Sequence, residues 1–323
     1  MRRLLAARAA QAVLVVAIVA TLVFVLTHLA PGDPFAGALA SGGIRPAQRE
    51  ALLARYGFDR PIAEQFAIYL RNLARGDLGW SFTYNRPVAE ALASALPNTL
   101  LLMGTALVLS LALGVAAGLL QAARRDSAVD HGTSAILLVF YSTPDFWLAL
   151  MMMLAFAYAL PIFPVSGTID PVLHEYLGRW GRIADRARHL VLPATTLTLL
   201  LTAAIARHQR AALLDTARAD FTRTARAKGV SASAVLLRHT LRNSIGTTIT
   251  LVGLLFPALL GGAVLVETVF AWPGMGALAT SAITNRDYSL VTAAAIISAV
   301  MTVAGSLLAD VLTAIADPRL RER

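Results

Sequence analysis

The sequence predicts an all-α membrane protein with six transmembrane helices. Three observations lead there. The 323 residues are 57% hydrophobic and only 15% charged, where soluble domains carry about 25% charged residues. The apolar residues gather into long uncharged runs instead of alternating with polar ones. The arginines fall between those runs.

A helix needs about 20 apolar residues to cross roughly 30 Å of hydrocarbon. Ala9 to Ala30 contains no charged residue. It exceeds the apolar core of a secretory signal, so it is read as an uncleaved first span although Ala38-Leu39-Ala40 could pass for a cleavage site. Ala91 to Ala123 is also uncharged, and its span is expected to start near Asn98, just after Pro97. Gly132 to Tyr158 is interrupted only by Asp145, and Leu190 to Ala206 is a shorter run with Pro193 near its start. Asn243 to Val266 and Tyr288 to Ala309 complete the set. In lipid every backbone polar group must be bonded internally, so these runs are helices.

Basic residues set the expected direction. Arg2, Arg3 and Arg8 precede span 1, and Arg124 and Arg125 follow span 2. Arg207, Arg210, Arg218, Arg223, Arg226, Lys228, Arg238 and Arg242 lie between spans 4 and 5, and Arg319, Arg321 and Arg323 follow span 6. The positive-inside rule makes these segments, and both termini, cytoplasmic. Pro31 to Pro97 is then outside despite seven arginines, because long loops translocate largely regardless of charge. That loop carries amphipathic stretches at Pro46 to Arg55 and Ile62 to Leu73, the second with Phe66, Tyr69, Leu70 and Leu73 at helical spacing.

Several chemistries are excluded or disfavoured. The chain has no cysteine, so it has no disulfide or thiolate metal site. The net charge of +9 is not laid out as an aromatic-dotted basic face, which argues against nucleic acid. No G-x-x-x-x-G-K-[ST], H-E-x-x-H or G-x-S-x-G occurs, so no P-loop, zinc protease or nucleophile-elbow chemistry is read here. The six histidines are scattered near the predicted membrane boundaries and read as interfacial or solvated. Glu267 and Asp310 sit at span ends, where water is near, and read as structural. Asp145, after Pro144 and near the middle of span 3, has two readings. It is a pathway or proton-relay acid, or it caps backbone groups that Pro144 frees.

The segment between spans 4 and 5 is the most informative. In Asp220 to Ser231 a helical wheel places Phe221, Thr224, Ala225 and Lys228 on one face, with Arg223 and Arg226 elsewhere. Gly229 suits the left-handed residue that ends a helix, and Ser231 suits the cap of the next one, which runs through Val235, Leu236 and Leu237. The small-residue face fits a protein groove better than lipid, whose partners carry larger apolar side chains.

This segment resembles the EAA loop of ABC importer permeases, in the version of the dipeptide/oligopeptide branch, where R-T-A-R-A-K-G is typical. The resemblance extends along the chain through Pro31-Gly32-Asp33-Pro34, Tyr56 to Pro61, Gly76-Asp77-Leu78-Gly79, Ser142 to Trp147, Glu267 to Gly276 and Asp317-Pro318-Arg319. Two departures stand: Arg223 where the broad pattern has Glu, and Ser244-Ile245-Gly246 after Leu241-Arg242-Asn243 where a proline is common.

The resemblance implies a type I ABC importer permease fold. Residues 1–94 would hold the first span and an outside segment, 95–316 a five-helix core with a coupling loop near 207–243, and 317–323 a cytoplasmic tail. It implies a non-catalytic subunit that works with a second homologous permease, two ABC ATPase subunits and an extracytoplasmic binding protein. ATP and Mg would be bound by the ATPases, with no cofactor on this chain. Phe221, Thr224, Ala225, Ala227, Lys228 and Gly229 would couple to the ATPase, and Trp272, Pro273 and Gly274 would meet the binding protein. The expected cargo is a di- or oligopeptide; nickel chelates, glutathione or another small solute are the alternatives. Ion-coupled transporters often show inverted repeats and paired broken helices, and no internal repeat is evident in the sequence.

Overall fold

The structure is a computed structural model that describes residues 2–29 and 60–316, with side chains at 10–29, 60–246, 248–251, 263–308 and 310–311. The expected Pro31–Pro34 motif, the Pro46–Arg55 helix, most of the Tyr56–Pro61 motif and the 317–323 tail lie outside the described residues. The chain divides into two compact units, residues 1–99 with 273–303, and 100–272 with 304–323.

In the first unit, α1 (Arg2–Leu29) carries the first apolar run, and α2 (Ile62–Ala74) is the second amphipathic helix of the loop. The two meet through aromatic rings. Phe24 lies 5.0 Å from Phe66 and 5.4 Å from Tyr69 between centroids, and His28 Nε2 pairs with Gln65 Oε1 at 2.8 Å. Leu70, expected on the apolar side, is exposed. A two-stranded antiparallel ribbon follows, β1 (Trp80–Ser81) and β2 (Arg86–Pro87).

The helix α3 (Val88–Ala123) starts ten residues earlier than expected and runs through Pro97. The reason is packing. Val88, Ala91, Leu92 and Ala95 are buried against Met275, Leu278 and Ala282 and against Leu290, Ala293 and Ala294. Each fully buried Val or Leu is worth about 1.5–3 kcal/mol away from water, which offsets the roughly 3 kcal/mol cost of an interior proline.

In the second unit the third apolar run is not one straight helix. It breaks into α4 (Ala128–Ser142) and α5 (Asp145–Met153), the second extended by a π-helical stretch, Leu154–Ala159. The two pieces bend by 102°, because the residue before Pro144 is driven out of the helical region: Thr143 has ψ 128°. The helix α6 (Arg179–Thr216) is far longer than the predicted fourth run and contains Pro193. At 1.5 Å per residue its 38 residues reach about 57 Å, so its charged ends extend past the hydrocarbon.

Beyond α6 lies the short helix α7 (Asp220–Ala227). A single helical turn, Ala232–Ala234, then passes through a π-helical stretch, Val235–Leu241, into α8 (Arg242–Val269). With no proline after Asn243, the chain stays helical from Ala232 onward. The chain then forms α9 (Met275–Thr284), in the first unit, and α10 (Tyr288–Ala316).

Among the described residues, four helices are long and apolar enough to cross a membrane: Ala10–Leu29, Val88–Ala123, Arg179–Thr216 and Tyr288–Leu308. The bent α4–α5 pair makes a fifth if it counts as one span. The helix α8 follows the remaining predicted run.

Candidate functional site

The α7 segment is built around its glycine. Gly229 has φ +78°, the left-handed conformation that glycine adopts at no steric cost. Its N–H donates to Arg226 O at 3.0 Å, and the N–H of Val230 donates to Ala225 O at 3.2 Å. These are the two bonds of a Schellman ending. Two residues on, Ser231 Oγ accepts the N–H of Ala234 at 3.4 Å and caps the next turn. The sequence pattern therefore located a real helix, stop and restart.

The face it exposes differs from the one expected. Thr222 and Ala225 are buried, and Thr222 Oγ1 donates to Thr216 O at 3.1 Å, which ties α7 to the end of α6. Phe221, Arg223, Thr224, Ala227, Lys228 and Gly229 are exposed. Ala225 thus belongs to the inner face, and the accessible small residues are Thr224 and Ala227. A lone helical wheel cannot tell which side of so short a helix its own chain will cover.

Of the residues expected to meet a binding protein, Pro273 is exposed while Trp272 and Gly274 are buried. The N–H of Trp272 donates to Glu267 O at 2.8 Å, and Gly167 N–H donates to Phe270 O at 2.9 Å. Glu267, expected near water, is fully buried. Asp145 is half-buried at the first position of α5, where its Oδ1 accepts the N–H of Phe146 at 2.9 Å. It satisfies one of the donors that the break at Pro144 leaves open.

The structure also joins residues that the sequence reading left apart. Arg210 grips Asp130 with both ends of its guanidinium, Nε to Oδ1 at 2.9 Å and Nη2 to Oδ2 at 2.6 Å. Buried Gln209 donates from Nε2 to Ser244 Oγ at 2.9 Å, and its Oε1 accepts from Thr248 Oγ1. Gly114 and Gly118 let α3 approach α6 closely: a Cβ at Gly118 would lie 2.9 Å from Ala206 O. The signal for this contact was present as a G-x-x-x-G in an apolar helix.

A second cluster lies at the other end of α6. Asp185 accepts the N–H of Asp170 at 3.1 Å and pairs with His174 Nδ1 at 2.6 Å, with His189 Nδ1 3.3 Å away. Two of the six histidines are therefore paired and largely buried, not solvated. Backbone N–H bonds from Leu173, then Val172, hold the Asp170 carboxyl below its ordinary range. No group of three His, Asp or Glu among the described residues is arranged to hold a metal.

Long apolar helices, a broken span and an exposed capped helix describe a polytopic membrane component. Residues 110–322 match the family described as binding-protein-dependent transport system inner membrane component, and residues 1–103 match its N-terminal companion. The chain is 38% identical over 298 residues, 92% of each chain, to the oligopeptide transport system permease protein AppB of Bacillus subtilis (strain 168). It is 36% identical over 318 residues, 94% of each chain, to the di/tripeptide transport system permease protein DppB of Pseudomonas aeruginosa (strain UCBPP-PA14). A crystal structure of an amino acid ABC transporter with histidines shares its fold, with TM-score 0.50 at 16% identity over 70% of this chain and 94% of that one. The protein belongs to the family of binding-protein-dependent transport system inner membrane components. It is a multi-pass inner-membrane permease subunit, and not an enzyme.

Proposed function

We propose that the chain is one pore-forming subunit of an ATP-driven importer of di- or oligopeptides. It spans the cytoplasmic membrane six times with both termini inside. Residues 1–94 form the first span and an outside segment, and residues 95–316 form the transporting core. Its partners are a second, homologous permease, two ATPase subunits that bind ATP and Mg, and an extracytoplasmic binding protein. Relatives named for oligopeptide and for di/tripeptide transport support the cargo. Nickel chelates, glutathione or another small solute are the second reading, because the binding protein would select the ligand.

The observation that carries the coupling role is the state of α7. The helix is anchored by Thr222 and Ala225 on its inner side, ended by a left-handed glycine, and bare on the side of Thr224 and Ala227. The chain has no P-loop, so energy from ATP must arrive through a contact. In this reading Phe221, Thr224, Ala227, Lys228 and Gly229 meet the ATPase, and Ala225 supports them from behind. Of the outer set, Pro273 is the residue available to the binding protein, with Trp272 and Gly274 shaping its turn.

The experiment is Ala227→Glu in the complete importer. A charge on the bare face should reduce co-purification of the ATPase subunits while membrane insertion is normal. Full ATPase binding and full uptake by this variant would remove α7 as the coupling contact. The orientation is checked separately in the cysteine-free chain. Ser231→Cys should react with an impermeant thiol reagent only after cells are opened, and reaction in intact cells would reverse the topology.

A further inference from the structure

Four helices converge near the α7 end of α6. Gly118 brings the α3 backbone against α6: its added Cβ would lie 2.9 Å from Ala206 O and 3.1 Å from Arg210 N. Gly114, one turn earlier, leaves room for Ile205. Arg210 reaches Asp130 in the first turn of α4 through a bidentate pair. Gln209 uses both ends of its amide on α8, toward Ser244 and Thr248. Ile205, Ala206 and Gln209 have no exposed surface.

This hub lies close to α7. From Arg210 to Thr216 is about 9 Å along the helix axis, and Thr216 O is bonded to Thr222 of α7. Asp130 is itself fixed by the N–H of Asp126 at 3.1 Å. A second bond, Gln121 Nε2 to Ser134 Oγ at 2.7 Å, joins α3 to α4. A bidentate arginine–carboxylate pair fixes orientation as well as distance. Buried ion pairs add little net stability because desolvation opposes them, and their best-attested use is to set register.

We infer that Gln209 and Arg210 are positioning residues for transport. They fasten the adjoining ends of α4 and α8 to α6, against which α3 packs through Gly114 and Gly118, so a displacement of α7 moves those ends as one body. The inference rests on the reading of α7 as the ATPase contact. Without the hub, a push on α7 would be spent in sliding α6 past its neighbours.

The test uses the complete importer and spin labels at Val129→Cys on α4 and Ala211→Cys on α6, both exposed positions in a chain without cysteine. The label-to-label distance should be the same with and without ATP in the otherwise unaltered protein. It should change with ATP in Arg210→Met, which cuts the link from α6 to Asp130 of α4; Gln209→Met, which cuts the link to α8, is read by uptake. The pair Asp130→Arg with Arg210→Asp should restore ATP-independence. Uptake per ATP hydrolysed should fall about fivefold or more in the single variants, the lower end of ordinary coupling strengths.

An ATP-dependent distance in the unaltered protein overturns the inference and needs no variant to assemble. So does an unchanged distance in assembled Arg210→Met, or an unchanged uptake ratio in assembled Gln209→Met, which loses both amide bonds at nearly constant volume. Failure of the α7 reading itself would show differently, as ATPase binding that is indifferent to Ala227→Glu.

Discussion

Ser81 Oγ donates to Asp287 Oδ2 at 2.6 Å across 206 residues of sequence. The same carboxylate accepts the N–H of Thr83 at 3.0 Å and, through Oδ1, the N–H of Leu290 at 3.2 Å. One buried acid thus caps the start of α10 and holds the β1–β2 ribbon to it. Hydrogen bonds to a charged group contribute about 1.5–3 kcal/mol each when broken. Asp287→Ala should therefore lower the melting temperature of the purified protein clearly, and Asp287→Asn should lower it less. Equal melting of Asp287→Ala and the parent protein would refute the capping role.

The close approach of α3 and α6 predicts a contrast between two glycines. A Cβ at Gly118 would lie 2.9 Å from both Ala206 O and Gln209 Cβ, whereas one at Gly104 would meet nothing within 4 Å. Gly118→Val should cost about 1–3 kcal/mol by overpacking and reduce the yield of intact importer. Gly104→Ala should be tolerated, since alanine suits a helix interior better than glycine. Equal yields and melting curves for both variants would mean that the helices can part freely there.

At Gly229 the strain is conformational and not steric. Nothing lies within 4 Å of an added Cβ, yet the residue holds φ +78°. Gly229→Val should cost about 1–2 kcal/mol in the turn, because L-residues resist the left-handed region. Membrane insertion should be intact and ATPase association weakened, while Gly229→Asn, which tolerates that region, should be milder. Co-purification of the ATPase subunits distinguishes the two, and equal binding by the valine and asparagine variants would show that the turn does not set the contact.

Asp145 is expected to act through structure. Its Oδ1 bonds the N–H of Phe146 beside the 102° bend. Asp145→Asn keeps an acceptor there, so ATP-driven uptake should persist with at most a modest loss of assembled complex. A fully assembled but transport-dead variant would assign the carboxylate to the transport path instead.

Much of this protein is written locally in its chain. Uncharged runs such as Ala9 to Ala30 declare spans because lipid offers no partner to backbone polar groups. Gly229 and Ser231 declare a helix stop and start because the required backbone geometry and cap depend on adjacent residues only. Tertiary structure decided the rest. Packing on Val88 and Leu92 carried α3 back through Pro97, while Pro144, with the same local chemistry, marks a 102° bend. The inner side of α7 was settled by Thr222 and Ala225 meeting the rest of the chain. The pairings Asp130–Arg210 and Gln209–Thr248 join residues 80 and 39 positions apart. Hydropathy and periodicity describe one segment at a time, whereas a buried polar side chain is satisfied only by whatever partner the fold brings within about 3 Å.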